Sequence, residues 1–306
     1  MLLLALLALL VAGGAFLASK HPASVKLRNR LAILRTSRNR IDGANSLIQR
    51  VQKDPSTPAA LTKEEVIRTF ATESWQSQAY SDWASIHLDT ERIFPCIYAT
   101  KGFKSDEHLF VFLDSDDLGD SRHIQAIASG LMHYLPRARA LGPNTSLVVL
   151  TKYNNNTRTV EEYNVLFWKL LDGLARLDKV AWPADIPKDI DTERWAFSFN
   201  GEHVFAAVQT PAHQQRLSRH ANSLTVAFQP KWVFDLLFST DAKRESAKTK
   251  VRRLLSKYDT IPVSPLLANY GDEGTREFQQ YFLMDENVPA PCPFKRLAAD
   301  VDPSKA

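Results

Sequence analysis

Residues 195–238 read WAFSFNGEHVFAAVQTPAHQQRLSRHANSLTVAFQPKWVFDLLF, and this is the most informative stretch of the chain. Two apolar runs meet at Asn200-Gly201, a dipeptide that favours the type I′ turn of a β-hairpin because both residues tolerate positive φ. A third apolar run, residues 224–228, follows after a short polar segment. Strands that follow one another at this spacing predict an antiparallel sheet.

Apolar patterns outside this stretch predict further strands and helices. Strands are expected at residues 109–113 and 146–150, and helices at residues 123–135, 160–177, 231–238 and 242–257. Strands and helices do not alternate regularly, which argues against a βαβ fold. We therefore predict the α+β class: a single mixed domain over residues 61–306, with a mainly antiparallel sheet flanked by helices.

The first 19 residues carry no charged side chain, and a basic segment follows them. At about 1.5 Å per residue, a helix over residues 1–19 would just cross a hydrocarbon layer of ~30 Å. The basic segment would stay on the cytosolic side. We expect a single-pass membrane anchor at residues 1–19, a basic stalk and linker at residues 20–60, and a cytosolic body, with the endoplasmic reticulum as one fitting membrane. The alternative is a cleaved secretory signal and a secreted protein.

The net charge of +4 arises from the basic segment alone. The chain has 38 basic and 34 acidic residues, and seven of the basic ones lie in residues 20–40. The remainder is slightly acidic, which argues against a nucleic-acid-binding core, whereas the basic segment could contact anionic lipid. The two cysteines are far apart and exclude a disulfide framework, and no Cys-x-x-Cys pair indicates a zinc site.

The polar segment at residues 210–220 contains the first candidate site residues. Pro211 restricts the backbone shortly before His213. A histidine held in this way suits a metal or haem ligand or a general base, but also a structural residue that binds backbone carbonyls. Arg216 and Arg219 lie three residues apart and could bind carboxylates, phosphates or haem propionates together. They could equally form salt bridges with acidic residues of the body.

Glu202 and Cys96 are the candidate catalytic residues. Glu202 follows the hairpin turn, where it could hold a cationic group of a substrate or be solvated. Cys96 follows Pro95 in an apolar stretch and could be a thiolate ligand, a redox thiol or an inert core residue. The common glycine-rich nucleotide loops, the Gly-x-Ser-x-Gly elbow and the His-Glu-x-x-His pair are absent from the sequence.

A set of motifs over roughly residues 62–294 resembles the YqcI/YcgG family. The motifs are Phe94-Pro95-Cys96, Phe167-Trp168, Trp182-Pro183, Trp195-x-Phe197-x-Phe199-Asn200-Gly201-Glu202, Pro211-Ala212-His213-x-x-Arg216-x-Ser218-Arg219, Phe228-Gln229-Pro230-Lys231-Trp232, Tyr281-Phe282-Leu283 and Cys292-Pro293-Phe294. Some members resemble haem-dependent N-hydroxylases that act on the guanidine of arginine-like substrates in guanitoxin and D-cycloserine biosynthesis. The resemblance implies a haem enzyme in which His213 carries the role of iron ligand. Lys231 stands where this pattern leads us to expect arginine, and the membrane anchor lies outside the pattern.

Three functional hypotheses follow. The first is a membrane-anchored, haem-dependent monooxygenase that hydroxylates a nitrogen of a small amine or guanidine substrate. In it, His213 binds the iron, Arg216 and Arg219 bind the propionates, and a redox partner protein delivers electrons. The second is a non-haem hydrolase or transferase with His213 as general base and Cys96 nearby. The third is a non-catalytic, membrane-tethered binding module.

Overall fold

The computed structural model describes residues 59–155 and 158–292. The anchor predicted at residues 1–19 and almost all of the stalk and linker predicted at residues 20–60 lie outside the described residues. Within the described ranges, no helix combines the length and the apolar character needed to cross a membrane.

The strands predicted at residues 109–113 and 146–150 and the helices predicted at residues 123–135, 160–177, 231–238 and 242–257 are present, with bounds that differ by no more than two residues. The helices are α1 (Lys63–Thr69), α2 (Trp75–Leu88), α3 (Ile97–Lys104), α4 (Ser121–Tyr134), α5 (Ala138–Leu141), α6 (Val160–Leu177), α7 (Lys231–Leu237), α8 (Asp241–Tyr258) and α9 (Phe278–Tyr281). The strands are β1 (His108–Leu113), β2 (Ser146–Thr151), β3 (Ser198–Phe199), β4 (Glu202–Gln209) and β5 (Thr225–Pro230). Single 3₁₀ turns cover Leu135–Arg137 and Leu217–Arg219.

The strands form one sheet in the order β1-β2-β5-β4-β3. The pairs β2–β5, β5–β4 and β4–β3 are antiparallel, but β1 and β2 are parallel. The α+β class is thus confirmed, whereas the sheet is mixed and includes one βαβ unit that the sequence analysis did not foresee. Between β1 and β2 the chain crosses back through α4 and α5, the kind of helical connection that a parallel pair requires.

The hairpin predicted at Asn200-Gly201 is present between β3 and β4. The two residues have φ values of 52° and 76°, as a type I′ turn requires, and Phe199 pairs with Glu202. The Asn200 N–H also donates to the Asp178 carboxylate at 2.8 Å, which attaches the turn to the end of α6.

Gly201→Val is expected to lower the free energy of unfolding by about 1–3 kcal/mol, because a β-branched residue resists positive φ. The added Cβ would also lie 3.3 Å from Val180 Cγ1. Gly201→Asn is the control, since asparagine tolerates this backbone conformation. Urea unfolding of the three proteins measures the effect, and a valine variant as stable as the wild type would contradict the turn assignment.

The two faces of the sheet have different covers. Alternate residues of β1 point to opposite sides: Leu109 and Val111 belong to the main core with α4 and α6, whereas Phe110 packs with residues of α1 to α3. Phe110 is paired with Val148, and Val148 with Ala227. The face that α1 to α3 cover over β1 and β2 therefore continues across β5 and β4.

Candidate functional site

A cavity of about 590 Å³ lies over β4 and β5, on the same face of the sheet that α2 and α3 cover. Ala207 and Ala227 are register partners and both line it. The neighbouring β4 residues Ala206 and Val208 point to the opposite side and are buried in the main core. This volume falls within the range of small-molecule and cofactor sites.

The cavity lining combines apolar and polar side chains from separate elements. The apolar residues include Phe94, Phe205, Phe234, Ala247, Val251, Leu255 and Leu283, and the polar ones include Cys96, Gln209, Arg219, Gln229, Tyr270, Glu277 and Gln280. A mainly apolar wall with a few charged groups is typical of a site that binds and orients a small molecule.

Helix α8 presents a basic stripe to the cavity, formed by Arg244, Lys248 and Arg252. Residues spaced by four lie on one face of a helix, so the three cations project to the same side. Arg244 pairs with Asp241 at 2.9 Å, and Arg252 donates to the Leu267 carbonyl at 2.7 Å. The sequence analysis predicted this helix but missed the stripe, whose signal was the regular spacing of the three cations.

Cys96 faces the cavity from the start of α3, where it is the N-cap residue. Its side chain is exposed, and yet burial raises the pKa of the thiol. The Cys96 sulfur is thus surrounded by protein atoms and reaches solvent through the cavity that it lines. The N–H groups of Tyr98 and Ala99 and the guanidinium of Arg219 act in the opposite direction and lower this pKa. These three groups offset only part of the effect of burial, so the pKa of the Cys96 thiol stays above its ordinary value.

The two candidate arginines have separate surroundings. The Arg216 side chain is 1% exposed, and it donates to the Met284 carbonyl and to Asn287 Oδ1, both at 2.7 Å. Arg219 makes one recorded hydrogen bond, from Nη2 to the Gln280 carbonyl at 3.2 Å. Burial lowers the pKa of Arg219 to about 10, which leaves it protonated at neutral pH. Both side chains line the cavity, but Arg219 makes fewer hydrogen bonds to the described residues and so has more N–H donors to offer a bound anion.

His213 is buried, and both of its ring nitrogens have partners. Nδ1 lies 2.8 Å from the Thr210 hydroxyl, and Nε2 lies 2.9 Å from the Leu283 carbonyl. Since a carbonyl only accepts, Nε2 donates to it and Nδ1 accepts from the hydroxyl. Burial lowers the pKa of His213 to about 4, so the ring is neutral. His213 is absent from the cavity lining, and a metal or a proton could reach its ring only by displacing one of these partners.

Glu202 lies outside the cavity lining, half-buried at the start of β4, and is not brought together with Cys96. A different carboxylate, Glu277, lines the cavity and is 7% exposed. Its Oε1 accepts a hydrogen bond of 2.6 Å from the Tyr281 hydroxyl, and burial raises its pKa to about 7. Glu277 was not among the predicted site residues, because no motif surrounds it and its burial depends on distant elements.

The described residues contain no group of three or more His, Cys, Asp or Glu side chains placed to hold a metal ion. A haem iron needs fewer protein ligands, since the porphyrin provides four of its bonds and one axial side chain completes the attachment. Among the described residues that line the cavity, Cys96, Tyr98 and Tyr270 have side chains of types that bind haem iron in proteins, and the thiol of Cys96 is the most acidic of the three.

Comparisons with known proteins agree on one family. The sequence profile of the YqcI/YcgG family matches residues 84–295. The uncharacterized proteins YqcI and YcgG of Bacillus subtilis (strain 168) are 35% and 36% identical to the chain, with each alignment covering 73% of the chain and 89% of the relative. A protein of Streptomyces lavendulae named putative N(omega)-hydroxy-L-arginine synthase DcsA is 30% identical over 72% of the chain and 84% of its own length. No solved structure matches the chain. The chain belongs to the YqcI/YcgG family.

Proposed function

We propose that the protein is a haem-dependent monooxygenase that hydroxylates a nitrogen of a guanidine or small amine substrate. The observation that carries this proposal is the cavity of about 590 Å³, in which a thiol, an apolar wall and a basic stripe converge. The name of the Streptomyces lavendulae relative, a putative N(omega)-hydroxy-L-arginine synthase, supports the reaction class.

The residues around the cavity fit a haem group. Cys96 would lose its proton on binding the iron and hold it as a thiolate, and the nearby N–H groups and Arg219 offset part of the cost of burying that charge. The basic stripe on α8 and Arg219 suit the two propionates, because charge-assisted hydrogen bonds to carboxylates are strong. Cys96, in place of His213, would bind the iron, because the sulfur faces the cavity and both ring nitrogens of the histidine are already hydrogen-bonded. Arg216 was predicted to bind a propionate, but its guanidinium already donates to the Met284 carbonyl and Asn287. The cations of the basic stripe would bind the propionate instead.

A bound haem with a thiolate ligand supplies the means to activate oxygen. The protein's own residues then set the conditions of the reaction. The N–H groups of Tyr98 and Ala99 and the Arg219 guanidinium stabilise the negative sulfur, and Phe205 and Phe234 help to exclude water from the reacting atoms. One oxygen atom enters the N–H bond and the other leaves as water, so the reaction takes two electrons and two protons from outside. We propose a redox partner protein as the electron source.

We also propose that residues 1–19 anchor the protein in a membrane by a single pass, with the basic segment against the lipid surface and the body in the cytosol. The support is the uncharged segment followed by seven basic residues. An anchored enzyme would act on a small, diffusible substrate from the membrane surface.

The proposal is tested with the full-length chain, produced with a haem precursor and purified in detergent. We expect a Soret band and, with L-arginine, oxygen and a ferredoxin system as reductant, a product that carries one added oxygen atom in mass spectrometry. Protein that holds no haem after reconstitution would overturn the proposal. A colourless protein that still consumes the substrate would favour the hydrolase or transferase hypothesis, and binding without turnover would favour the binding module.

A further inference from the structure

Glu277 is a buried carboxylate that forms no ion pair among the described residues. Its recorded hydrogen bond is the one that its Oε1 accepts from Tyr281. The nearby cation Lys231 is already paired with Asp235 at 2.6 Å. A carboxylate that is 7% exposed destabilises the fold, because burial removes its hydration and the charge of Lys231 offsets this loss only in part.

The second oxygen of Glu277 opens into the cavity. Oε2 accepts no hydrogen bond from the described residues. It is not one of the fully enclosed polar atoms that lack a partner, so its surface is accessible. Glu277 itself belongs to the cavity lining. The free lone pairs of this carboxylate therefore face the space that a small molecule would occupy.

We propose that Glu277 binds the guanidinium group of the substrate and selects cationic guanidines over neutral analogues. This assignment rests on the proposed function, since it names the residue that holds the guanidine of that reaction. A guanidinium presents pairs of N–H donors in one plane, which match the two oxygens of a carboxylate. Its positive charge would also offset the unfavourable burial of Glu277 and favour the ionised carboxylate, whose pKa burial has raised to about 7.

Tyr281 is the positioning residue for this carboxylate. Its side chain is fully buried, and its hydroxyl donates to Glu277 Oε1 at 2.6 Å. The oxygen of that Tyr281 hydroxyl accepts a hydrogen bond of 3.0 Å from the Phe197 N–H. These contacts orient the carboxylate in a single direction before the substrate arrives. The Tyr270 ring also lines the cavity and already contacts a cation, since Lys231 Nζ lies 4.8 Å from the ring centre.

The test compares L-arginine with L-citrulline, which has nearly the same shape but a neutral ureido group. Calorimetric titrations use the full-length wild type, Glu277→Gln, Tyr281→Phe and Glu202→Gln. Glu202→Gln is the matched control, because it makes the same change at a carboxylate outside the cavity lining. We expect the wild type and the control to prefer arginine by about 100-fold, as charge-assisted bonds of about 1.5–3 kcal/mol imply. Glu277→Gln should lose most of that preference, and Tyr281→Phe should lose part of it.

A structural role for Glu277 would weaken the binding of both ligands equally and leave the preference unchanged, which would overturn the assignment. A wild type that binds arginine and citrulline equally would overturn it as well. The Soret band of the same samples reports haem binding separately, so a failure of the proposed function is visible independently of a failure at Glu277. Urea is the denaturant for checking that the variants fold, because guanidinium ions would compete for the proposed site.

Discussion

Replacing Arg216 with alanine is expected to lower the free energy of unfolding by about 3–5 kcal/mol, because the change leaves several buried acceptors without a donor. The guanidinium is almost fully enclosed and donates to the Met284 carbonyl and to Asn287. Through these two bonds the side chain joins the segment after β4 to the segment after α9, 68 to 71 residues further along the chain. The backbone N–H of Arg216 donates to the Asp285 carboxylate at 2.8 Å, and this bond is kept in the alanine variant.

Arg219→Ala is the matched control for this prediction. It removes the same charge three residues away, but that guanidinium makes one recorded hydrogen bond, at 3.2 Å, and faces the cavity. We expect it to change the unfolding free energy by less than about 1.5 kcal/mol and to weaken retention of an anionic cofactor instead. Urea unfolding of both variants decides the question, and equal losses of stability would contradict the division between a structural and a cavity-facing arginine.

Sequence patterns predicted those helices, strands and turns that depend on interactions between residues close together in the chain. The Asn200-Gly201 turn depends on contacts a few residues apart, and it is present. The parallel pairing of β1 and β2 depends on how distant strands are ordered in the sheet. Apolar periodicity does not encode that order, so this part of the topology could not be predicted from it.

The same distinction separates the predicted and missed parts of the site. Cys96 was found because its motif is local, although its direction into the cavity depends on β4, β5 and α8. His213 looked like an available imidazole in the sequence, but its Nε2 partner is the Leu283 carbonyl, 70 residues away. Arg216 and Arg219 sit at a 3₁₀ turn and not on a regular helix, so three-residue spacing gave them different surroundings. Glu277 gains its importance from burial, which no local pattern reports.

Cys96→Ser is expected to remove the thiolate signature of the bound haem and to lower N-hydroxylation by more than about 100-fold. The expected loss exceeds the 10- to 100-fold that changes around a metal ligand usually cause, because this change removes the ligand itself. A thiolate donates electron density that favours cleavage of the O–O bond, and a neutral hydroxyl does not replace it. The measurement is the spectrum of the reduced carbon monoxide complex, in which thiolate ligation gives a strongly red-shifted Soret band.

Two control variants make this last prediction specific. Cys292→Ser changes the other cysteine, which is absent from the cavity lining, and should keep both the spectrum and the activity. His213→Gln keeps an amide donor for the Leu283 carbonyl and should preserve the ligand spectrum even if it lowers stability. If His213→Gln shifted the Soret band while Cys96→Ser left it unchanged, the iron would be bound by the histidine after all, and the contacts of His213 with Thr210 and Leu283 would have to open when haem enters.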